Sequence, residues 1–499
     1  MGESMLSSPK GLVETGIDGL DYILGGGLPP RRIYLVEGSP GTGKTTLALH
    51  FLLNGVKHGE KTVYVTLSET RDELVDVARS HGWSLDGISL YELEAMENLL
   101  QPELQYTVFH PAEVELGQTT KRICEKVEEV QPTRVVLDSL SEMRLIAQNP
   151  LRYRRQILAL KQFFTGRNCT VLLLDDGSGV ADDTQLESIA HGVIALQQHV
   201  SDYGPARRRL LIRKIRGQPY AEGYHDFAIR SGGLTVYPRL IASQRNSVSE
   251  PQALPSSVAA LDSLTGGGLD LGTSVLFLGP SGAGKSMLAG QYSLAAARQG
   301  YRVKAYLFEE AVESFFRRSE SLGMDLRPHR DRGLVEIERI DPATLSLGEF
   351  TCRIREAVEA HETKVVVIDS INGYLNAIPS DRILLVQMHE LLTYLNQNGV
   401  LTILILAQHG LVGEPEAQVD LSYLADTVIL LQYFEAAGAI RQAISVIKKR
   451  TGAHERTIRE LNVDASGLRI GNPLRDFRGV LTGAPEYKGS EPLFEVGKP

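Results

Sequence analysis

Short, nearly unbroken apolar runs alternate along this chain with longer amphipathic stretches. "RIYLVEG" reads as a strand and "TTLALHFLLNGVKHG" as the helix that follows it, while "TVYVTLSE", "TRVVLDS" and "CTVLLLDD" supply a second, third and fourth strand. Runs of Val, Ile and Leu without polar alternation suit strands buried on both faces. Their alternation with helices predicts an α/β fold, a mainly parallel sheet flanked by helices. The later segments, "TVILLQYFE" and then "RQAISVIKKR", read as hairpin strands appended to the sheet edge.

The whole pattern runs twice. "GSPGTGKT" at 38–45 returns as "GPSGAGKS" at 279–286, 241 residues on, and "LDYILGGGL" at 20–28 returns as "LDSLTGGGL" at 261–269 by the same step. "VYVTLSET" at 63–70 matches "AYLFEEAV" at 305–312, "VVLDSL" at 135–140 matches "VVIDSI" at 366–371, and "LIRKIRG" at 211–217 matches "SVIKKRTG" at 445–452. Matched features in one order at a near-constant step mean two homologous domains. They are expected at 1–244 and 245–499, joined within a stretch at 238–257 rich in Pro, Ser and Gln.

Composition narrows the class. A formal net charge of −9 argues against a protein that coats nucleic acid without regard to sequence. Cys124, Cys169 and Cys352 stand apart from one another, which reads as a reducing compartment with no disulfide framework. No Cys or His cluster has zinc spacing, and no basic-then-apolar leader or membrane-length apolar run is visible, so a cytoplasmic protein without a membrane partner is expected.

The two glycine-rich stretches fit G-x-x-x-x-G-K-[ST], a phosphate-binding loop. The first comprises Gly38, Ser39, Pro40, Gly41, Thr42, Gly43, Lys44 and Thr45; the second Gly279, Pro280, Ser281, Gly282, Ala283, Gly284, Lys285 and Ser286. Glycines let backbone N–H groups turn towards phosphate oxygens, and the helix that follows offers its positive end. Lys44 and Lys285 are placed for the β and γ phosphates, Thr45 and Ser286 for Mg²⁺. Asp138 and Asp369 end apolar strands, the expected place for the carboxylate that holds the metal's water shell. A single strand-ending Asp is more often a turn cap, but repetition at matching places favours the metal role. The strand after the first helix of each half also ends in acid: Glu69, and Glu309 with Glu310. Such a carboxylate can take a proton from an attacking water, or it can be no more than a solvated strand end.

The order "GLDYILGGGLP", "GSPGTGKT", "VYVTLSET", "VVLDS", "RKIRG", followed by the whole series again, resembles the KaiC family of double-domain RecA-like ATPases. "ADTVILLQY" at 425–433 and "HERTIREL" at 454–461 look especially like the second KaiC domain. The resemblance implies tandem RecA-like P-loop NTPase domains, ATP with Mg²⁺, and an ATP-dependent homohexameric ring with nucleotide between neighbouring subunits. It also implies that Lys214 with Arg216, and Lys448 with Arg450, reach across to a neighbour's γ phosphate as arginine fingers do. Without the resemblance, "RRRLLIRKIR" reads as a basic strand on a solvated surface.

Departures from the family pattern are equally informative. KaiC proteins carry two glutamates at the strand end; the second domain keeps Glu309 and Glu310, whereas the first has Ser68 before Glu69. A serine hydroxyl is no base near neutral pH. The first loop is therefore expected to hold ATP chiefly to build the ring, and the second to hold it for chemistry. In the family the second domain phosphorylates an adjacent Ser-Thr pair; "DLSYLADTVILLQY" puts Ser422 on the serine and Tyr423 on the threonine, with Glu309 as the base. Two other classes compete. One is a recombinase-like DNA-binding ATPase, with "LRYRRQILALK" at 151–161 facing a strand; the other is a signalling scaffold whose nucleotide state regulatory proteins read.

Overall fold

The computed structural model describes residues 11–93, 111–177, 184–200, 204–240, 252–376, 381–408, 421–436, 438–482 and 485–489. The chain divides into two compact units that part between Arg239 and Leu240. The junction expected near 245 lies outside the described residues, as does the C-terminal stretch beyond Gly489.

In the first unit the strands are β1 (Ile33–Glu37), β2 (Thr62–Thr66), β3 (Ile88–Glu92), β4 (Arg134–Asp138), β5 (Thr170–Asp175), β6 (Gly192–His199), β7 (Arg207–Ile215), β8 (Tyr224–Arg230) and β9 (Gly233–Tyr237). They form one sheet in the order β3-β2-β4-β5-β1-β6-β7-β8-β9. Strand β1 pairs in parallel with β5 and β6, and β4 in parallel with β2 and β5; from β7 onward the pairing is antiparallel. β1, β2, β4 and β5 are buried along their whole length, as their uninterrupted apolar runs require. Side chains alternate between the two covered faces. Tyr34 and Val36 enter one buried cluster, Ile33 and Leu35 the other.

The second unit opens with a short antiparallel ribbon of β10 (Ala253–Leu254) and β11 (Leu269–Asp270). Its sheet is built from β12 (Ser274–Pro280), β13 (Arg302–Leu307), β14 (Val335–Arg339), β15 (Thr363–Asp369), β16 (Leu401–Gln408), β17 (Thr427–Ala436), β18 (Ala439–Lys449), β19 (Arg459–Asp464) and β20 (Gly467–Pro473). The order β14-β13-β15-β16-β12-β17-β18-β19-β20 repeats the first sheet strand for strand. The predicted α/β class and mainly parallel sheets are found in both halves. One expectation needs refining: β17, "TVILLQYFEA", pairs in parallel with β12, and only β18 to β20 extend the sheet in antiparallel fashion.

Each loop strand thus lies inside its sheet. The loop leaves at the carboxyl end, beside the ends of the neighbouring parallel strands, where ligands bind in open α/β sheets. Among the described residues no helix is long and apolar enough to cross a membrane.

Candidate active site

The two glycine-rich turns join β1 to the helix Lys44–Lys57 and β12 to the helix Lys285–Arg298. Gly43 and Gly284 cap these helices at φ 100°, with no side-chain cap bond. The first helical N–H groups are thereby left for an anion. At Gly38 a Cβ would lie 2.5 Å from the Leu196 carbonyl oxygen, and at Gly279 2.1 Å from that of Leu431. Only glycine lets the loop leave its strand so close to the next one. In the second loop Tyr433 and Gln442 add further holds, donating to the carbonyls of Ser281 at 3.4 Å and Gly282 at 3.2 Å.

Both loop lysines are buried and turned into their own loop. Lys44 Nζ donates to Gly38 O at 2.6 Å and Ser39 O at 3.2 Å; Lys285 Nζ donates to Gly279 O at 2.7 Å and Pro280 O at 2.6 Å. Burial pushes Lys285 down to about 8, against the pull of Asp369 and Glu309.

Asp138 and Asp369 stand where the sequence reading put them, each beside the hydroxyl residue of its loop. Thr45 Oγ1 lies 3.4 Å from Asp138 Oδ2, and Ser286 hydrogen-bonds Asp369. Tyr64 donates to Asp138 as well. Burial raises the pKa of both carboxyls; the bonds from Tyr64 to Asp138 and from Ser286 to Asp369 offset it in part. A buried carboxylate next to a hydroxyl suits a hydrated Mg²⁺, whose charge relieves the desolvation. Thr45 with Asp138, and Ser286 with Asp369, are the residues that fit such an ion. Among the described residues no group of three or more His, Cys, Asp or Glu side chains could hold a metal by itself.

Equivalent backbone bonds fix the alignment of the acidic strand ends. Leu67 N donates to Asp138 O at 2.6 Å, and Phe308 N to Asp369 O at 2.7 Å. Ser68 therefore occupies the place of Glu309, and Glu69 that of Glu310. Glu309 Oε1 accepts from Ser370 Oγ at 2.9 Å, while Glu310 Oε2 pairs with Arg318 Nη2 at 2.7 Å. Glu69 is half-buried. Thr66 Oγ1 accepts from its N–H at 2.9 Å and donates to its carbonyl at 2.7 Å, and a Thr70–Glu73 capping box starts the next helix. Glu69 Oε2 is buried with no hydrogen-bond partner among the described residues. Burial, and then the Asp138 charge, push this carboxyl up to about 7.

Asp176 was missed by sequence reasoning. It follows β5, and its Oδ1 lies 2.9 Å from Lys44 Nζ while Ser141 Oγ donates to Oδ2 at 2.8 Å. Burial works to raise its pKa, but the bonds from Lys44 and Ser141 outweigh that and hold it below the usual carboxylate range. Neighbouring Asp175 pairs with Arg144 at 2.8 Å. The available signal was the acid pair closing the apolar run "CTVLLLDD".

The basic residues also match between units, Lys214 facing Val193 across β6 and Lys448 facing Val428 across β17. Within the chain they bond carbonyls of the segment just before those strands. Lys214 donates to Glu187 O and Arg216 to Ser188 O at 3.0 Å. Lys448 donates to Ser422 O at 3.0 Å and Ala425 O at 2.7 Å, and Arg450 to Tyr423 O at 2.9 Å. The predicted phosphoacceptor Ser422 is half-buried, whereas Tyr423 is exposed.

Residues 13–241 and 254–475 each match the KaiC ATPase family. The chain belongs to the KaiC family. It is 26% identical over 484 residues to circadian clock protein KaiC3 of Synechocystis sp., a match covering 95% of this chain and 94% of that protein. It is 28% identical to circadian clock oscillator protein KaiC of Acaryochloris marina, covering 94% of this chain and 90% of that protein. The same oscillator protein of Synechococcus elongatus is also 28% identical, with 95% and 91% covered. The two P-loops accordingly belong to tandem RecA-like, ATP-binding domains of a KaiC-type ATPase.

Proposed function

We propose that the second site of this KaiC-type ATPase is its principal site of hydrolysis, and that the first holds ATP chiefly to assemble a homohexameric ring. Residues 1–244 and 245–499 would each form one ATPase domain. The observation that carries the reading is the match of Ser68 to Glu309, with the Glu309 carboxylate held by Ser370. In this scheme Glu309 takes the proton of a water whose oxygen bonds to the γ phosphorus as the bond to the bridging oxygen breaks. Glu310, tied to Arg318, keeps the strand end in place. Ser286 and Asp369 would hold Mg²⁺ beside the phosphates, where the ion would supply neutralisation of their charge.

Lys214, Arg216, Lys448 and Arg450 act across the subunit boundary in this scheme, leaving the carbonyls that they cap in the single chain. Ser422, whose carbonyl Lys448 holds, is the acceptor for slow autophosphorylation. Assembly is tested by light scattering behind size exclusion, with and without ATP–Mg²⁺. The wild-type chain is expected to form hexamers with nucleotide, and Lys44→Ala to remain monomeric or small. Unchanged hexamers in nucleotide-free Lys44→Ala would overturn the assembly role.

A further inference from the structure

The first site lacks a carboxylate at 68 and carries one that the second site lacks. Residues 37 and 175 face each other across β1 and β5, as 278 and 406 do across β12 and β16. The next residue on each outer strand is Asp176 in the first unit and Ala407 in the second. Their supports differ to match. Ser141 donates to Asp176, whereas Asn372, three residues after Asp369 as Ser141 is after Asp138, brackets the Ala407 backbone with bonds of 2.7 and 2.8 Å. Between the units, an acid has in effect moved from the end of the strand on one side of the Asp138/Asp369 strand to the end of the strand on its other side.

Asp176 is also built into place. One oxygen is fixed by Ser141, and the other lies 2.9 Å from Lys44 Nζ, the group that meets the β and γ phosphates in loops of this type. A carboxylate touching that ammonium is within reach of the surroundings of a terminal phosphate. Glu69, the other acid of the first site, has its backbone pinned by Thr66.

We infer that Asp176 is the catalytic carboxylate of the first site, doing there what Glu309 does in the second. When nucleotide takes Lys44, the freed Asp176 oxygen accepts the proton of the attacking water. The water oxygen bonds to the γ phosphorus, the bond to the β,γ-bridging oxygen breaks, and ADP leaves with that electron pair. The proton then passes from Asp176 to solvent. The inference rests on the reading that the first loop binds ATP, and it gives that loop slow turnover of its own.

The test is single-turnover ATP hydrolysis by the full chain carrying Lys285→Ala, which confines nucleotide to the first loop. Adding Asp176→Asn should lower the remaining hydrolysis about a hundredfold or more, to the level seen with Lys44→Ala added instead, while a fluorescent ATP analogue still binds. Adding Glu69→Gln should change it less than about threefold, well below a general-base loss. A cooperative Trp83 fluorescence transition in denaturant shows that the Asp176→Asn first unit is folded. Hydrolysis unchanged or raised by Asp176→Asn overturns the inference, and so does binding with no hydrolysis that Lys44→Ala can remove. That last result leaves the ATP-holding role of the first loop standing, whereas analogue binding indifferent to Lys44→Ala removes both.

Discussion

Ser370 Oγ donates to Glu309 Oε1 at 2.9 Å, tying the residue after the metal-side aspartate to the acid at the end of the neighbouring strand. Both residues sit at the carboxyl edge of the parallel sheet, so the bond orients Glu309 even though its side chain is open to solvent. In the first unit the same pair of positions holds Ser139 and Ser68, and no such carboxylate is available.

Glu69 should cost the first unit stability at neutral pH and above. Its folded-state pKa of about 7 lies above the usual glutamate value, so ionising it works against folding. The penalty is full above about 7, shrinks as pH falls, and vanishes below the unfolded value. Glu69→Gln should therefore stabilise the first unit at pH 8 by about 1 kcal/mol, discounted for partial exposure, and not at all near pH 4. The chain's single tryptophan, Trp83, lies in the first unit and reads this in denaturant titrations.

His50 works in the opposite sense. It packs edge-on against Trp83 with centroids 4.5 Å apart, and its Nε2 accepts from Leu234 N at 2.9 Å. Burial, with smaller contributions from the His81 and Lys57 charges, pushes His50 down to about 4. Between about 4 and the ordinary histidine value the unfolded chain binds the extra proton, so stability falls as pH falls. The contribution lost is up to about 3 kcal/mol. Trp83 unfolding midpoints should drop over that interval, and the His50→Gln chain should show a shallower slope. Equal slopes would remove His50 from the account.

Phosphate should appear on Ser422 and not on Tyr423. Tyrosine carries its hydroxyl several ångströms farther from the backbone than threonine, so a site shaped for one does not align the other with a γ phosphate. Mass spectrometry after incubation with ATP–Mg²⁺ is expected to find one slow modification, absent in Ser422→Ala. Phosphate on Tyr423, or a doubly phosphorylated peptide, contradicts the assignment.

Much of the fold was legible in the sequence because the buried parallel strands carry unbroken apolar runs. β1, β2, β4 and β5 all fall where those runs lie. The place of β17 was less legible: the run "TVILLQYF" says that a strand is buried but not which strand lies beside it. Loop residues and strand-end aspartates were legible through local spacing. Asp176, Ser370 and Arg318 were not, because each acquires its partner only when separate strands and helices meet at the sheet edge. The engagement of Lys448 and Arg450 with the turn at Ser422 was hidden for the same reason, 26 residues separating Lys448 from its acceptor.

The central claim, that the two sites are chemically unequal, is tested most directly by steady-state ATP hydrolysis of Glu309→Gln beside Glu69→Gln in the otherwise unaltered chain. The account predicts that Glu309→Gln removes most of the turnover, since general-base loss costs about a hundredfold or more at the affected site, and that Glu69→Gln leaves most of it. Equal losses, or a larger loss from Glu69→Gln, would contradict it.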